Sequence, residues 1–523
     1  MRRPVLVLVV GFLLALGMGV ARATEPADEL AKPYASAKTP PSSPSAHECD
    51  AVGDPAQNVR LDCDDPHPNN EPNIVVDPAD PLHQIASSND YGSCCDEYYT
   101  SFDGGSTWST GNMSTRGPGV NGSDPITVID PVHHTAVHFS LSYHVSSGIP
   151  AVNGDVVASV STDGGLTWDV PTVVGHGRGA HLFSDKEGAT VDLTSGPHSH
   201  PGRIYATWTG FTGDAKRSPS SPIMLASSDD GGRTWSAPHE ISGSSPTYCT
   251  FQSSGPAGQC DEDQFSYPVV TPDGAVHVAF QNSQHQAAWE TADEYEAQYL
   301  VVTSTDGGAS FAAPVHVADQ EDGTQDFPVN DDQRPTLTGM AMRVPSGGNI
   351  AADPRPGTNT LYITWTDNSE GVHDVASPVT RARVFVATSH DGGATWESPA
   401  QVAPQSGAAG DQWFPWADVA PDGTLGIVYN QRTGPDTYAA DLAERSGGTT
   451  TVTRLSTADS DVNHASSFQE QSPDCSTCSL FHGDYLGLDY DAHGVAHAVW
   501  TDMRDLDPAD PALHLQFIYL GRH

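Results

Sequence analysis

The stretch SHDGGATW at 389–396 decides how the chain is read, because it recurs as SFDGGSTW at 101–108, STDGGLTW at 161–168, SDDGGRTW at 228–235 and STDGGASF at 304–311. The central aspartates are Asp103, Asp163, Asp230, Asp306 and Asp391, at intervals of 60, 67, 76 and 85 residues. Five matches over eight positions make an internal repeat, in which each unit is one supersecondary element that needs its neighbours. Each octapeptide follows a β-patterned run, such as Val156–Val160, Leu300–Thr303 or Val384–Thr388, and precedes another. Its chemistry suits a hairpin turn: the Asp accepts bonds from local backbone N–H groups, Gly-Gly supplies positive φ, and the Trp packs on the adjoining strands.

Between the octapeptides lies a second pattern, an apolar strand, an Asp-rich turn and a strand ending in an aromatic. It reads DPITVIDPVHHTAVHFS at 124–140, YPVVTPDGAVHVAF at 267–280 and WADVAPDGTLGIVY at 416–429, with relatives starting near 72, 186, 349 and 486. Seven such hairpins are counted. The sixth unit keeps only a degenerate box around Arg445–Thr451, and the seventh stops after Leu513–Leu520. Asn58–Asp62 is placed to supply its missing outer strand and close the ring, which removes exposed sheet edges. The expected fold is all-β, a β-propeller of four-stranded antiparallel blades, with seven blades favoured and six as the alternative.

Composition agrees with a turn-rich β protein. The 523 residues include 50 Gly and 41 Pro, and 37% are hydrophobic, too apolar for a disordered chain. The 66 Asp and Glu against 23 Lys and Arg give a net charge of -43. Such a polyanion is repelled by phosphate backbones and anionic lipid, so no nucleic-acid partner is expected. Arg2 and Arg3 precede an apolar run from Val5 to about Val20 that ends in Ala21-Arg22-Ala23. This reads as a secretory signal cleaved after Ala23, not as a membrane anchor. Residues 24–55 read as a disordered leader, and 56–523 as the folded domain, expected to be a monomer. Eight Cys in an exported chain read as disulfides, with Cys249–Cys260, Cys475–Cys478 and Cys49–Cys63 as plausible local clasps, while the adjacent Cys94 and Cys95 stay unassigned.

The boxes resemble the Asp-box, or BNR, repeats of the sialidase-like superfamily, over roughly residues 56–523. The resemblance implies a propeller, six-bladed in the sialidases and seven-bladed in some relatives. It also implies that the boxes sit on the turn between third and fourth strands, away from the substrate face, and so mark the fold.

In a propeller the innermost strands start on the face where ligands bind. Those starts hold Asp124, Asp185-Lys186-Glu187, Asp263-Gln264, Asp332-Gln333-Arg334, Asp411-Gln412 and Gly483-Asp484-Tyr485. Positions after the second strands add Asn89-Asp90, Asp367-Asn368, Arg432 and Arg504. The expected mouth is a ring of carboxylates and amides with a few arginines.

Three readings compete for this ring. One is hydrolysis of an extracellular glycan, which needs two acid, base or nucleophilic groups about the scissile bond. The resemblance assigns Tyr485 as nucleophile, Glu187 as its partner, Asp124 as acid, and Arg334, Arg432 and Arg504 as a carboxylate clamp, with Asp185, Asp263, Asp411 and Asp484 lining the substrate site. Sialidases also carry an Arg before the first box, whereas Asn69 to Tyr91 contains none. The second reading is a non-catalytic propeller that binds a glycan or protein, with Trp208, Trp365, Trp413, Trp416 and Trp500 either stacking on sugars or packing between blades. The third is a calcium site built from Asp groups such as Asp331 with Asp332, or Asp90 with Asp96 and Glu97. No residue is assigned firmly to a metal, and His133-His134 and His198-x-His200 read as surface-loop histidines. A solvated acidic rim is the plain alternative.

Overall fold

The structure is a computed structural model that describes residues 47–49, 52–54, 58–62, 68–92, 95–116, 120–146, 149–177, 182–214, 217–252, 255–291, 295–323, 325–329, 334–374, 376–403, 410–462, 481–507 and 514–523. The expected signal segment, most of the leader, Cys63, Cys94, Cys475, Cys478 and Asp331 to Gln333 lie outside them. Every regular element described is a β-strand. No helix among the described residues is long and apolar enough to cross a membrane.

The strands form seven successive antiparallel meanders. Taking the first three strands of each, they are Asn69–Asp77, Asp80–Asp90 and Asp96–Ser101; Val120–Asp130, Thr135–Ser146 and Ile149–Ser161; Leu182–Val191, Ile204–Asp214 and Ile223–Ser228. The next two are Asp263–Val270, Val276–Asn282 and Gln298–Ser304, then Ile350–Ala352, Leu361–Asp367 and Arg383–Ser389. The last two are Gln412–Val419, Leu425–Arg432 and Thr437–Ser446, then Gly487–Tyr490, Ala496–Asp502 and Phe517–Arg522. Within the seventh, the chain's end pairs with its beginning: Asn58, Val59 and Arg60 lie opposite Gly521, Leu520 and Tyr519. The sheets are separate, apart from a parallel bridge between Gly154 and Phe183 that links the second meander to the third.

Burial explains the strand compositions. Second strands such as VHVAFQN at 276–282 are buried on both faces, whereas the outer strand TTTVTR at 449–454 is almost wholly exposed and rich in Thr. Apolar side chains gather in seven cores, each between one meander and the next. The core holding Val59, Leu61, Ile74, Tyr99, Trp108, Val499 and Ile518 joins the seventh meander to the first. The innermost strands likewise touch in sequence, and Gly487–Tyr490 touches Asn69–Asp77. A channel of about 500 Å³ is lined by residues from all seven innermost strands.

All five octapeptides fall between the third and fourth strands of meanders one to five. In the first, Asp103 Oδ1 accepts the N–H groups of Ser106 (2.9 Å) and Thr107 (2.8 Å), and Oδ2 accepts the Thr107 hydroxyl at 2.8 Å. The N–H of Gly105 is donated to Ser101 Oγ at 2.8 Å. The box aromatic reaches the preceding meander: Trp108 joins the core shared with the seventh, and Trp168 packs edge-on against Tyr98 of the first, centroids 5.8 Å apart.

One expectation needs revision. The leader drawn to residue 55 contains strands, since His47–Cys49 pairs with Thr110 to Trp108 and Val52–Asp54 pairs with Asn58–Arg60. Pairing the N-terminal stretch with an available outer edge satisfies backbone groups that composition alone cannot assign. Of the two roles weighed for the tryptophans, the structure shows packing: Trp413 and Trp500 are fully buried and Trp208 and Trp365 nearly so, while Trp416 also lines a cavity. The clasp between Cys249 and Cys260 is present, with Cα atoms 5.3 Å apart, and Cys95 is disulfide-bonded too.

Candidate functional site

The innermost strands of five meanders begin with the same irregularity. Register shifts between Asn70 and Asn73, Ser123 and Ile126, Asp185 and Gly188, Gln264 and Tyr267, and Trp413 and Trp416. Each bulge holds a left-handed non-glycine residue: Glu71 (φ 55°), Asp124 (60°), Lys186 (52°), Phe265 (54°) and Phe414 (54°). Such a conformation costs on the order of 1–2 kcal/mol per residue and persists where the surroundings over-determine it. A bulge re-aims its side chain, and here four of the five meet.

Lys186 is the centre of that meeting. Its Nζ lies 2.9 Å from Asp484 Oδ2, 3.3 Å from Glu71 Oε1 and 3.4 Å from Asp124 Oδ2. It stands 5.1 Å from the Tyr485 ring centroid and 5.6 Å from that of Phe265. Arg343 supplies a second cation, 2.7 Å from Asp484 Oδ2. Asn89 supports the ring by donating to Glu71 Oε2 at 2.7 Å and accepting the N–H of Asp124 at 2.7 Å.

Carboxyl groups outnumber these cations, and their environments drive them apart. Burial acts to raise Asp484, but Arg343 and Lys186 outweigh it and hold the group below its ordinary range. Glu187 is pushed well up by burial, then by Asp124, and both its oxygens are buried without a hydrogen-bond partner. Burial and Asp124 also raise Asp185, to about 8, and raise Glu71. Lys186 resists desolvation because Asp124, Asp484 and Glu71 surround it, so its pKa is raised and it stays a cation. Asp124, Lys186, Glu187, Phe265, Tyr267, Trp416, Asp484 and Tyr485 line a cavity of about 40 Å³. That is room for a few waters, not for a sugar ring. Tyr267 and Trp416, in edge contact at 5.0 Å, line both this cavity and the long channel beyond.

The structure thus brings Asp124, Asp185, Glu187, Asp484 and Tyr485 together. Tyr485 donates its hydroxyl to the Pro125 carbonyl at 3.4 Å, and its pKa is raised by burial, then by Glu71, Asp124 and Glu187. Arg334 acts electrostatically on Asp484. Arg432 is held instead by Asp411 (3.0 Å) and the carbonyls of Thr338, Gly434 and Pro435. Arg504 pairs with Asp502 at 2.6 Å, bonds Thr457 and Asn58, and covers Tyr519. These two share no partner, and the three-arginine clamp expected of Arg334, Arg432 and Arg504 is not assembled. Long side chains found local acceptors that strand position does not reveal. Asp411 is committed to Arg432, and Asp263 bonds Asn282 at 2.6 Å in its own meander, so neither borders the cavity. Asp90, Asp96 and Glu97 turn to separate partners, Asn112, His138 and Thr110.

Glu71, Arg343 and Phe265 are the site residues that motif reasoning left out, and Lys186 was named only within Asp185-Lys186-Glu187, with no role given. For Lys186 a signal existed: it is one of only four lysines in the sequence, and it stands at an inner-strand start.

No protein-family model matches the chain, and no curated protein matches it. Sialidases and an arabinanase are among the solved structures it resembles. The Hadza microbial sialidase Hz136 is 15% identical, with 84% of this chain and 73% of that one covered and a TM-score of 0.42. The Penicillium chrysogenum α-L-arabinanase is 12% identical, with 91% and 98% covered and a TM-score of 0.43. A protein of unknown function from Dyadobacter fermentans is 13% identical, with 78% and 96% covered and a TM-score of 0.45. At such identities and scores, these likenesses assign no substrate and no residue role.

Proposed function

We propose that the chain is a secreted, seven-bladed propeller that acts on an extracellular glycan at the channel end where Asp124, Glu187, Asp484 and Tyr485 converge. One observation carries the reading: two carboxyl groups beside one cavity are driven in opposite directions, Glu187 raised well above its ordinary range by burial and then by Asp124, and Asp484 held below its range by Arg343 and Lys186. Carboxyl groups whose environments push their pKa values apart are what acid–base cleavage of a glycosidic bond requires. Glu187 takes the part of proton donor and Asp484 that of base or charge stabiliser, with Asp124 beside Lys186. Tyr485, whose phenol is raised rather than activated, serves to shape the pocket. The seven-blade reading is supported by the seven inter-meander cores and the pairing of Asn58–Arg60 with Phe517–Arg522. Secretion with removal of residues 1–23 is supported by the disulfide between Cys249 and Cys260.

A non-catalytic glycan binder is the second reading: the cavity of about 40 Å³ admits no sugar ring, and a glycan confined to the channel of about 500 Å³, whose lining includes neither Glu187 nor Asp484, would be held without being cleaved. A panel of fluorogenic glycosides, sialosides and arabinosides included, separates the two. Cleavage predicts turnover of at least one substrate and a loss of roughly 10²–10⁴-fold in Glu187→Gln. Saturable glycan binding without turnover selects the binder; neither turnover nor binding on a broad glycan array ends the proposal.

A further inference from the structure

A second cluster lies between the fourth and fifth meanders, on the side where innermost strands begin. The loop after Val276–Asn282 brings Glu290, the segment after Val315–Asp319 brings Glu321 and Asp326, and the loop after Leu361–Asp367 brings His373. His373 Nδ1 lies 2.6 Å from Asp326 Oδ1, 3.3 Å from Glu290 Oε1 and 3.6 Å from Glu321 Oε2. The four donor atoms are all within 4.8 Å of one another.

Hydrogen bonding does not account for this convergence. An imidazole nitrogen carries at most one hydrogen, so it can serve one of the three oxygens. Even the short approach to Asp326 lacks hydrogen-bond geometry: His373 Nδ1, Asp326 Oδ1 and Glu321 Oε2 are all buried without a hydrogen-bond partner. Asp326 is fully buried, and leaving such an oxygen unsatisfied is costly. The ligand frame is braced from behind. Asp326 Oδ2 accepts the Gly323 N–H at 2.8 Å, Asn368 donates its side-chain amide to the Asp326 carbonyl at 2.5 Å, and the Asn368 backbone N–H goes to the Glu321 carbonyl at 2.9 Å. Such outer partners orient ligands for a metal.

We propose that Glu290, Glu321, Asp326 and His373 bind one divalent metal ion of the zinc or manganese kind, tying the fourth meander to the fifth. One imidazole nitrogen with three carboxylate oxygens suits these borderline ions, whereas calcium prefers six to eight oxygens. His285, His316 and Asp319 form a neighbouring group, but there both histidines are hydrogen-bonded to Asp319, at 2.7 and 3.0 Å, and Tyr248 stacks on His316. That group is the natural control.

The test is calorimetric titration of chelator-stripped protein with Zn²⁺, Mn²⁺ and Ca²⁺ separately, beside thermal unfolding with and without each ion. Expected are one equivalent of Zn²⁺ or Mn²⁺ per chain and a raised Tm. Glu290→Gln and His373→Ala, both at partly exposed positions, are expected to unfold like wild type without metal. Each weakens binding at least as much as the roughly 10–100-fold loss typical of outer-shell partners. An unbound wild type, preference for Ca²⁺ over both other ions, unchanged affinity in both variants, or loss of binding only in His316→Ala would each overturn the assignment.

Discussion

Lys186 shows how much one buried charge decides. It is nearly inaccessible, and its ammonium answers Asp124, Asp484 and Glu71 at once. Removing one side of a buried ion network leaves the rest uncompensated, at a cost of about 3–5 kcal/mol. Lys186→Met is therefore expected to lower unfolding stability by that amount in urea titration; a change within experimental error would show that the surrounding carboxyls are already protonated. Asp124, Glu187, Asp484 and Tyr485 were legible from their places at inner-strand starts, because strand period and turn position determine where a short side chain emerges. Arg432 and Arg504 were not, because a flexible guanidinium takes the best acceptors within its reach.

At the scale of elements, the box is a local device with a non-local effect. Its Asp and Gly-Gly organise the turn by bonds within five residues, and its aromatic is thereby aimed at the preceding meander. Trp168→Ala removes a side chain that packs on Tyr98 and His138 and is expected to cost about 3–5 kcal/mol. The sixth meander lacks the box and turns on Ser446-Gly447-Gly448-Thr449, with both glycines at positive φ, 57° and 81°. That is the backbone of a tight hairpin turn favouring Gly or Asn. Gly448→Ala meets no neighbouring atom within 4 Å, so the expected loss of about 1–2 kcal/mol is conformational alone. A loss in guanidinium unfolding well above this would mean that the turn makes contacts of its own.

For the whole molecule, acidity and burial act together on stability. Burial pushes Asp263 up to about 8 from an ordinary 3.8, and Asp185 to about 8 with help from Asp124. Between those limits the folded chain holds protons that the unfolded chain has released. Stability present below the unfolded pKa is therefore lost as pH rises toward the folded one. The box aspartates act oppositely at lower pH: the Ser310 hydroxyl and N–H bring Asp306 down to about 2, so its contribution disappears only in strong acid. With a net charge of -43 repelling itself more as carboxyls ionise, Tm is expected to be higher at about pH 5 than at about pH 8, with chelator present and ionic strength fixed. Asp263→Asn should narrow the difference, and a Tm that rises over this range would contradict the account.

What the sequence by itself determined is the repeat. Five boxes and seven hairpins carry their own turn chemistry and strand period, so the number of units and the position of each turn follow from interactions within a few residues. The terminal strand Asn58–Arg60 was also foreseeable, since an unpaired edge demands a partner. Only the tertiary structure decided that four of the inner-strand bulges aim Glu71, Asp124, Lys186 and Phe265 at one another, that Arg343 joins them, and that Glu290, Glu321, Asp326 and His373 meet. Those groups are far apart along the chain, and their protonation depends on burial and on which charges lie within a few ångströms. Both are properties of the packed sheets, absent from any one repeat.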